Sequence, residues 1–428
     1  MMNLFKGFWQ KIKVEKLVDK TCGMLDDYTY MDRTRTESKY FTRDRKMPFK
    51  KLMRFMLTPR SASTQNELER YFDKLGEPTF MTQQAFSEAR HKIKHTAFVE
   101  LFEMTAQESY SDEYECETWN EYRTSAVDGS KIDLPAEERL RKHFGTVGAG
   151  GTSAAAQGSI LYDVLNDVIM DAAIEPIATD ERTLAERHID TLYKNLKPEK
   201  ELIIFDRGYA CFSLIQKLEE KGFKFLMRVR TKFNIDIDNQ KDADGIVYLK
   251  QKDKKIKVRV IKFPLLTGET ETLITNIWDE NISVDSFGEL YFKRWPIETK
   301  YDVVKNKLEI ENFSGLTVEA IKQDFFATMY LINIASAAKA AAQVEADEQR
   351  KGKDNLYEYK INVNHEVGVL KDRFIFALSN DICAGRAKEI RKILDLLMKK
   401  MIPVRKGRSN RRKIPRNTKF HHNQKSNC

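Results

Sequence analysis

The chain has 428 residues, 41% hydrophobic and 32% charged, a balance that excludes a disordered or fibrous polymer and leaves room for two or three globular domains. Its formal net charge of +9 is carried entirely by Val404–Cys428, which holds nine Lys or Arg and no Asp or Glu; such a basic tail suits a polyanion, with nucleic acid first. Cys22, Cys116, Cys211, Cys383 and Cys428 are scattered without a close pair, so they imply neither a zinc site nor a disulfide framework, and a reducing compartment fits.

Met1 to Val14 mixes Phe, Trp and Lys without an apolar run and does not read as a signal peptide. Residues 1–122 read as mostly helical. Pro48–Leu57 places Phe49, Leu52, Met53 and Met56 at helical spacing. Thr64 and Glu67 have the spacing of a capping box, and Gly76 can close the helix they open. A second helix is predicted from Thr82 through Phe86, Ala89 and Ile93, with Gln83, Gln84, Ser87, Arg90 and Lys94 on its polar side. Two short helices with a tight joint, the second basic, resemble a DNA-reading pair, although any helical bundle contains such pairs.

The period then changes. Arg123–Ile132 reads as a strand, with Val127 before Asp128 and Gly129 after it. Gly145–Gly158 is rich in Gly, Ser and Ala, but the phosphate-loop spacing is absent, so a flexible flap is expected. Ile160–Leu165 and Val168–Ile174 read as a hairpin joined at Asn166–Asp167. Thr179–Leu196 is a predicted helix on which His188 packs. Leu202–Phe205 is a continuous apolar run, as in a strand buried on both faces. Asp206 follows at its carboxyl end, where open α/β sheets bind ligands; the plainer use of this Asp is to cap a helix beginning near Cys211. Phe223–Arg230 returns as a strand with Arg228 and Arg230 on one side.

Residues 231–282 read as a β-rich insertion of short strands at Lys232–Asp238, Ile246–Lys250, Lys255–Phe263 and Glu271–Ile277, with Lys255, Lys257 and Arg259 forming a basic face. In Tyr291–Lys305, the residues Tyr291, Arg294, Glu298 and Lys305 return to one helical face. Pro296 interrupts that face. Inside a helix it would cost about 3 kcal/mol, so the helix restarts or kinks there. Thr317–Asp347 is a long apolar helix; Asn333 and Lys339 interrupt it, and a buried helix fits better than a membrane span. Arg386–Ile402 is another helix. The expected domains are 1–122, helical and DNA-binding; 123–345, catalytic, with the insertion at 231–282; 346–403, a helical C-terminal region; and 404–428, the basic tail.

Three strands, then helix, strand, helix, strand, insertion and helix is the plan of a ribonuclease H-like fold. The expected architecture is therefore a mixed α/β sheet flanked by helices and interrupted by the β-rich insertion, with an all-helical domain before it and a helical region after it. In that plan the first and fourth strands are neighbours, so Asp128 and Asp206 converge, and the late helix brings Glu298 beside them. Three clustered carboxylates repel one another unless a cation is present. Oxygen ligands without Cys or His suit Mg²⁺ or Mn²⁺, and two such ions about 4 Å apart can promote phosphodiester cleavage. Arg294 and Lys305 can clamp the phosphates.

The chain resembles bacterial DDE transposases of the insertion-sequence-four type. The likeness rests on Ala126–Ile132 (AVDGSKI), on Ile203–Tyr209 (IIFDRGY), and on Tyr291-x2-Arg294-x3-Glu298-x6-Lys305, which keeps the spacing of that family's tyrosine-arginine-glutamate-lysine signature. Arg43–Phe49, Gln84–Lys92 and Glu311–Gly315 also look like family segments, so the likeness covers roughly residues 40–340. It implies cut-and-paste transposition, with cleavage at terminal inverted repeats, hairpin ends and strand transfer. Asp128, Asp206 and Glu298 would then be the catalytic triad holding two Mg²⁺ or Mn²⁺ ions. Tyr291, Arg294 and Lys305 would contact phosphates, and Arg207, Arg228 and Arg230 would add DNA contacts. Trp295 would stack near a displaced base or pack in the core, and Trp278 is a second candidate for holding a flipped base. The implied partners are double-stranded DNA, as terminal repeats and target, and a second copy of the chain in a homodimeric synaptic complex. No membrane is implied, and the expected location is the cytoplasm, at the nucleoid of a bacterium. The alternative is a catalytically silent relative that binds the repeats without cutting.

Overall fold

The structure, a computed structural model, describes the chain except residues 1, 44–45, 59–62, 79–80, 112–115, 149, 266–267, 303–304, 306–309, 354–355 and 406–428, and gives only the backbone of residues 2–9, 299 and 302. Almost all of the basic tail, and Ala149 of the expected flap, therefore lie outside the described residues. The chain forms two compact units. One takes residues 1–94 with 334–428, and the other takes residues 95–333.

The first unit begins with α1 (Met2–Asp26), α2 (Tyr28–Thr34), α3 (Phe49–Met56), α4 (Thr64–Leu75) and α5 (Gln83–Arg90). The α4 cap is Ser63, whose Oγ accepts from Asn66 N, one residue before the Thr64 expected from the sequence. Gly76 closes α4 in the left-handed region at φ 65°, where glycine carries no Cβ penalty. Thr82 opens α5 by accepting from Ala85 N. Phe55 joins the two helices, meeting Tyr71 and Phe86 edge-to-face with ring centroids 5.3 and 5.0 Å away.

The second unit continues with α6 (Thr96–Ser109), β1 (Arg123–Asp133), α7 (Glu138–Phe144), β2 (Thr146–Val147), β3 (Ser153–Asp163), β4 (Val168–Pro176), α8 (Glu181–Asn195), β5 (Glu201–Phe205), α9 (Phe212–Lys221) and β6 (Lys224–Arg228). After these come α10 (Ile235–Asn239), β7 (Asp244–Gln251), β8 (Lys254–Pro264), β9 (Thr270–Thr275), α11 (Val284–Phe292), α12 (Pro296–Asp302) and the first half of α13 (Val318–Arg350), whose residues from 334 on belong to the first unit. The main sheet runs β4-β3-β1-β5-β6-β9-β8-β7, with β2 on the start of β3. β3 is antiparallel to both β1 and β4, β5 is parallel to β1, and β6 is parallel to β5. That order and polarity make a ribonuclease H-like sheet. Its core is built by Val127, Leu161, Ile203, Phe205 and Phe225, closed by Ile189 and Leu192 of α8 and Leu214 and Leu218 of α9. Every residue of β5 is buried, as its continuous apolar run requires.

Three local expectations change. Ser153–Gly158, read as part of a flap, is the first half of β3, and Ala154, Ala155 and Ala156 are buried. The approach is close at the end of this run: a Cβ at Gly158 would lie 2.6 Å from Ile132 Cδ1. The β3–β4 connection takes four residues, 164–167, not two, with Asp167 at φ 57°. Lys232–Asp238 is not a strand. Asn234 accepts from Asp236 N and Ile237 N and caps the short helix α10 instead. The remaining insertion strands belong to the main sheet, because β9 pairs antiparallel with β6. Arg259 does not add to a solvated basic face. It is buried, paired with Asp244, and donates to the carbonyls of Asp279 and Ile282.

In the most apolar window of α13, 78% of residues are buried, as expected for a core helix. The first unit is completed by β10 (Glu358–Ile361), α14 (Val363–Ser379), α15 (Cys383–Met398) and β11 (Met401–Val404), with β10 and β11 antiparallel.

Candidate active site

β1 and β5 pair in register from Arg123↔Glu201 to Ala126↔Ile204. Asp128 and Asp206 each lie two residues beyond the last of these pairs, so parallel pairing alone sets them side by side, about 4.8 Å being the usual strand spacing. Asp206 does not cap the next helix: α9 starts from Cys211 without a side-chain cap bond. Its Oδ1 instead accepts from the Tyr291 hydroxyl at 3.1 Å and lies 3.9 Å from Arg228 Nη1.

Glu298 arrives from a different element than its sequence neighbours suggested. α11 ends at Phe292, a turn follows, and Pro296 is the first residue of α12. Tyr291 and Arg294 therefore do not share a continuous helical face with Glu298. They converge through the turn: Arg294 Nη2 donates to Glu298 Oε1 at 3.1 Å, and Trp295 Nε1 donates to Glu298 Oε2 at 2.9 Å. On α12, the Tyr301 hydroxyl donates to the Asp128 carbonyl at 2.9 Å and ties the helix to β1.

Arg294 is the electrostatic centre of this group. Its pKa is raised against the opposing effect of burial by Tyr291, Asp206, Asp128 and Glu298. Burial pushes the Asp128 carboxyl up to about 6; Arg294 and the Gly129 amide oppose the rise, and Glu181 and Glu298 add to it. Removing a carboxylate from water, with two more close by, penalises its ionised form.

The other expected contacts divide. Trp295 is 54% exposed and stacks on Phe292 at an interplanar angle of 16°, so it is not a core residue. Trp278 is exposed, with Lys257 Nζ 4.5 Å from its ring centroid. Lys305 reaches the Lys131 carbonyl and lies 3.5 Å from Glu311. Arg228 is engaged by Glu271 at 2.7 Å. Arg207 and Arg230 line a cleft of about 310 Å³ together with Gly208 and Arg182.

The sequence model of a family described as the transposase DDE domain matches residues 119–334, a span that contains all three carboxylates. This chain belongs to the DDE transposase family. It is 23% identical over 149 residues to "Putative transposase InsZ" of Escherichia coli (strain K12), an alignment covering 33% of this chain and 47% of that one. It is 26% identical over 141 residues to "Putative transposase y4zB" of Sinorhizobium fredii (strain NBRC 101917 / NGR234), covering 29% and 39%. The matches thus span about half or less of those relatives' lengths. Among solved structures, a piggyBac transposase synaptic complex with hairpin DNA aligns with a TM-score of 0.42 at 10% identity, covering 93% of this chain and 81% of that one.

DDE transposases generally use divalent metal ions. The donor chemistry of this DDE domain fits such an ion: Asp128, Asp206 and Glu298 offer only hard oxygen atoms. Among the described residues no three acidic, His or Cys side chains converge tightly enough to hold an ion as they stand. The Arg294 guanidinium, bonded to Glu298 and in the field of Asp128 and Asp206, supplies positive charge beside the carboxylates.

Sequence reasoning missed four residues of this DDE domain. Tyr301 was read only as packing. Arg182 donates from Nε and Nη2 to the Gly208 carbonyl, at 3.1 and 3.0 Å. Glu181 and Tyr209 lie near Asp128, and only the Gly after Asp128 hinted at a close approach there. His188 is the packed histidine expected, 1% exposed, set between Asp171 at 2.8 Å and Ser159 at 2.9 Å.

Proposed function

We propose that this protein is a transposase that moves an insertion sequence by cut-and-paste, cutting at terminal inverted repeats and joining the freed 3′ ends to target DNA. The observation that carries this reading is the β1–β5 register, which sets Asp128 beside Asp206, with the Pro296 turn joining Arg294 to Glu298, both of whose charges reach Asp128. Asp128, Asp206 and Glu298 would hold two Mg²⁺ or Mn²⁺ ions, which when bound activate the attacking oxygen and stabilise the leaving one.

The chain's own residues do the rest. Tyr291 orients Asp206 by hydrogen bonding, and Arg228, held by Glu271, supports it from the neighbouring strand. Arg294 and Trp295 fix the rotamer of Glu298. Lys305, at the far end of β1, and the Arg182, Arg207 and Arg230 cleft receive backbone phosphates as charge-assisted partners. The exposed Phe292–Trp295 stack offers a face for an unpaired base. A homodimer would pair two element ends, and the work would take place in the cytoplasm, at the nucleoid.

The test is a donor plasmid carrying the gene with its flanking DNA, assayed for strand cleavage and joining by the purified full chain. Asp128→Asn, Asp206→Asn and Glu298→Gln are each expected to abolish cleavage while leaving DNA binding intact. Cleavage undiminished in any of them removes that residue from the triad. A wild-type chain that binds the ends and never cuts is instead the silent relative.

A further inference from the structure

We propose that Glu181 is a fourth acidic residue of the active site, holding the divalent cation together with Asp128; this rests on the metal-dependent reading above. Glu181 opens α8, where a carboxylate also favours the helix dipole. A dipole role does not require the side chain to turn toward β1, and this one does. A Cβ placed on Gly129 would lie 2.7 Å from Glu181 Oε1, 2.8 Å from Gln157 Nε2 and 2.9 Å from Glu181 Cδ. The carboxylate therefore occupies the space that any side chain beside Asp128 would fill. Gly129 has an ordinary backbone conformation among the residues described, so close approach, not a turn, is what a glycine permits here.

Two further groups define the position. Gln157, 7% exposed on β3, donates Nε2 to Glu181 Oε1 at 3.2 Å and fixes that oxygen. Tyr209 is 2% exposed, and its hydroxyl has no hydrogen-bond partner among the described residues. The charges acting on that hydroxyl are those of Glu181, Asp128, Asp206 and Arg294, with Glu181 the strongest of them. A buried phenol in the field of three carboxylates, with its hydroxyl unbonded among the described residues, is a donor left for a further group. An oxygen-coordinated cation with its own bound water meets that description.

The test is Mn²⁺ binding to the full chain without DNA, followed by electron paramagnetic resonance of the free ion, a readout independent of cleavage. Glu181→Gln retains an acceptor for Gln157 and is expected to weaken Mn²⁺ binding at least 10-fold, with an unchanged melting temperature. Gly129→Ala, whose Cβ would meet both Glu181 and the Gln157 amide that fixes it, should displace the Glu181 side chain and weaken binding similarly. Binding by Glu181→Gln within twofold of wild type, alongside weakened binding by Asp128→Asn, overturns the assignment of Glu181 alone. If Asp128→Asn also binds as wild type does, the metal reading itself fails.

Discussion

Trp295 holds Glu298 by an indole hydrogen bond, Nε1 to Oε2 at 2.9 Å, from a ring that is more than half exposed and stacked on Phe292. The edge sets the carboxylate while the face remains available. Trp295→Phe keeps a stacking ring and loses the donor. A hydrogen bond to a charged group in such a half-open place contributes about 1–2 kcal/mol, so single-turnover cleavage should slow about 10-fold, with DNA binding within twofold. Trp295→Ala removes both edge and face and should weaken DNA binding as well. A Trp295→Phe rate equal to wild type would make the indole bond idle.

Arg294 holds the other oxygen of Glu298 and lies in the field of Asp128 and Asp206. Without a divalent cation it is the counter-ion of the group. Replacing it by Gln leaves carboxylates facing each other in a partly buried place. The expected cost is about 2 kcal/mol, less than for a fully buried pair because Glu298 retains some exposure. Thermal melts in chelator should show a lower Tm for Arg294→Gln, and Mg²⁺ should restore most of the loss. The same variant should bind Mn²⁺ more tightly than wild type, since the guanidinium no longer competes. Equal melts in chelator would show that Arg294 is not the counter-ion.

Away from the site, Arg123 and Glu201 pair across the first rung of β1 and β5. Glu201 is 2% exposed, and burial raises its pKa to about 7 although Arg123 opposes the rise. A carboxyl whose folded pKa exceeds its unfolded value binds more protons when folded, so stability is greatest below the unfolded pKa and falls as pH rises through the folded one. The window runs from about 4.5 to about 7, and the shift is worth on the order of 3 kcal/mol. Urea unfolding across that range, wild type compared with Glu201→Gln, should show wild type losing stability relative to the variant as pH rises. Parallel curves would mean that Arg123 keeps Glu201 ionised throughout.

The element order was legible because hydrophobic period is strong where strands are long or doubly buried. Leu202–Phe205 and the alternation around Asp128 are such places, and with Glu298 they define the ribonuclease H-like plan. Composition misled where small residues serve packing. Ala154–Ala156 read as flap material because Ala and Gly are common in both loops and tight interiors, and only the neighbour Ile132 distinguishes the two. Lys232–Asp238 alternates like a strand, yet one Asn side chain captures two amides and turns it into a helix. Glu181, Tyr209 and Arg182 left no pattern of their own. Glu181 and Arg182 reach Gly129 and Gly208 from the start of α8, and Tyr209 comes from the turn after β5, a tertiary relationship that one-dimensional spacing does not encode.

Pro296 gives the last prediction, and its sign decides between two readings of the signature stretch. In a kinked continuous helix, Pro would be a cost of about 3 kcal/mol, and Pro296→Ala would stabilise. Here Pro296 is the first residue of α12, where no helical N–H is required and its fixed φ suits the helix. The turn before it is closed by Ile297 N to Arg294 O at 3.0 Å and Glu298 N to Trp295 O at 3.1 Å. At such a position Ala enlarges the unfolded ensemble and should destabilise by about 0.4–1 kcal/mol. Loosening this turn frees the segment that sets Arg294, Trp295 and Glu298 against one another, so cleavage should fall more than stability does. Chemical denaturation gives the sign, and single-turnover kinetics on the same preparation gives the rate. A more stable Pro296→Ala chain would mean that α11 and α12 are one kinked helix in solution, with Tyr291 and Glu298 on one face after all.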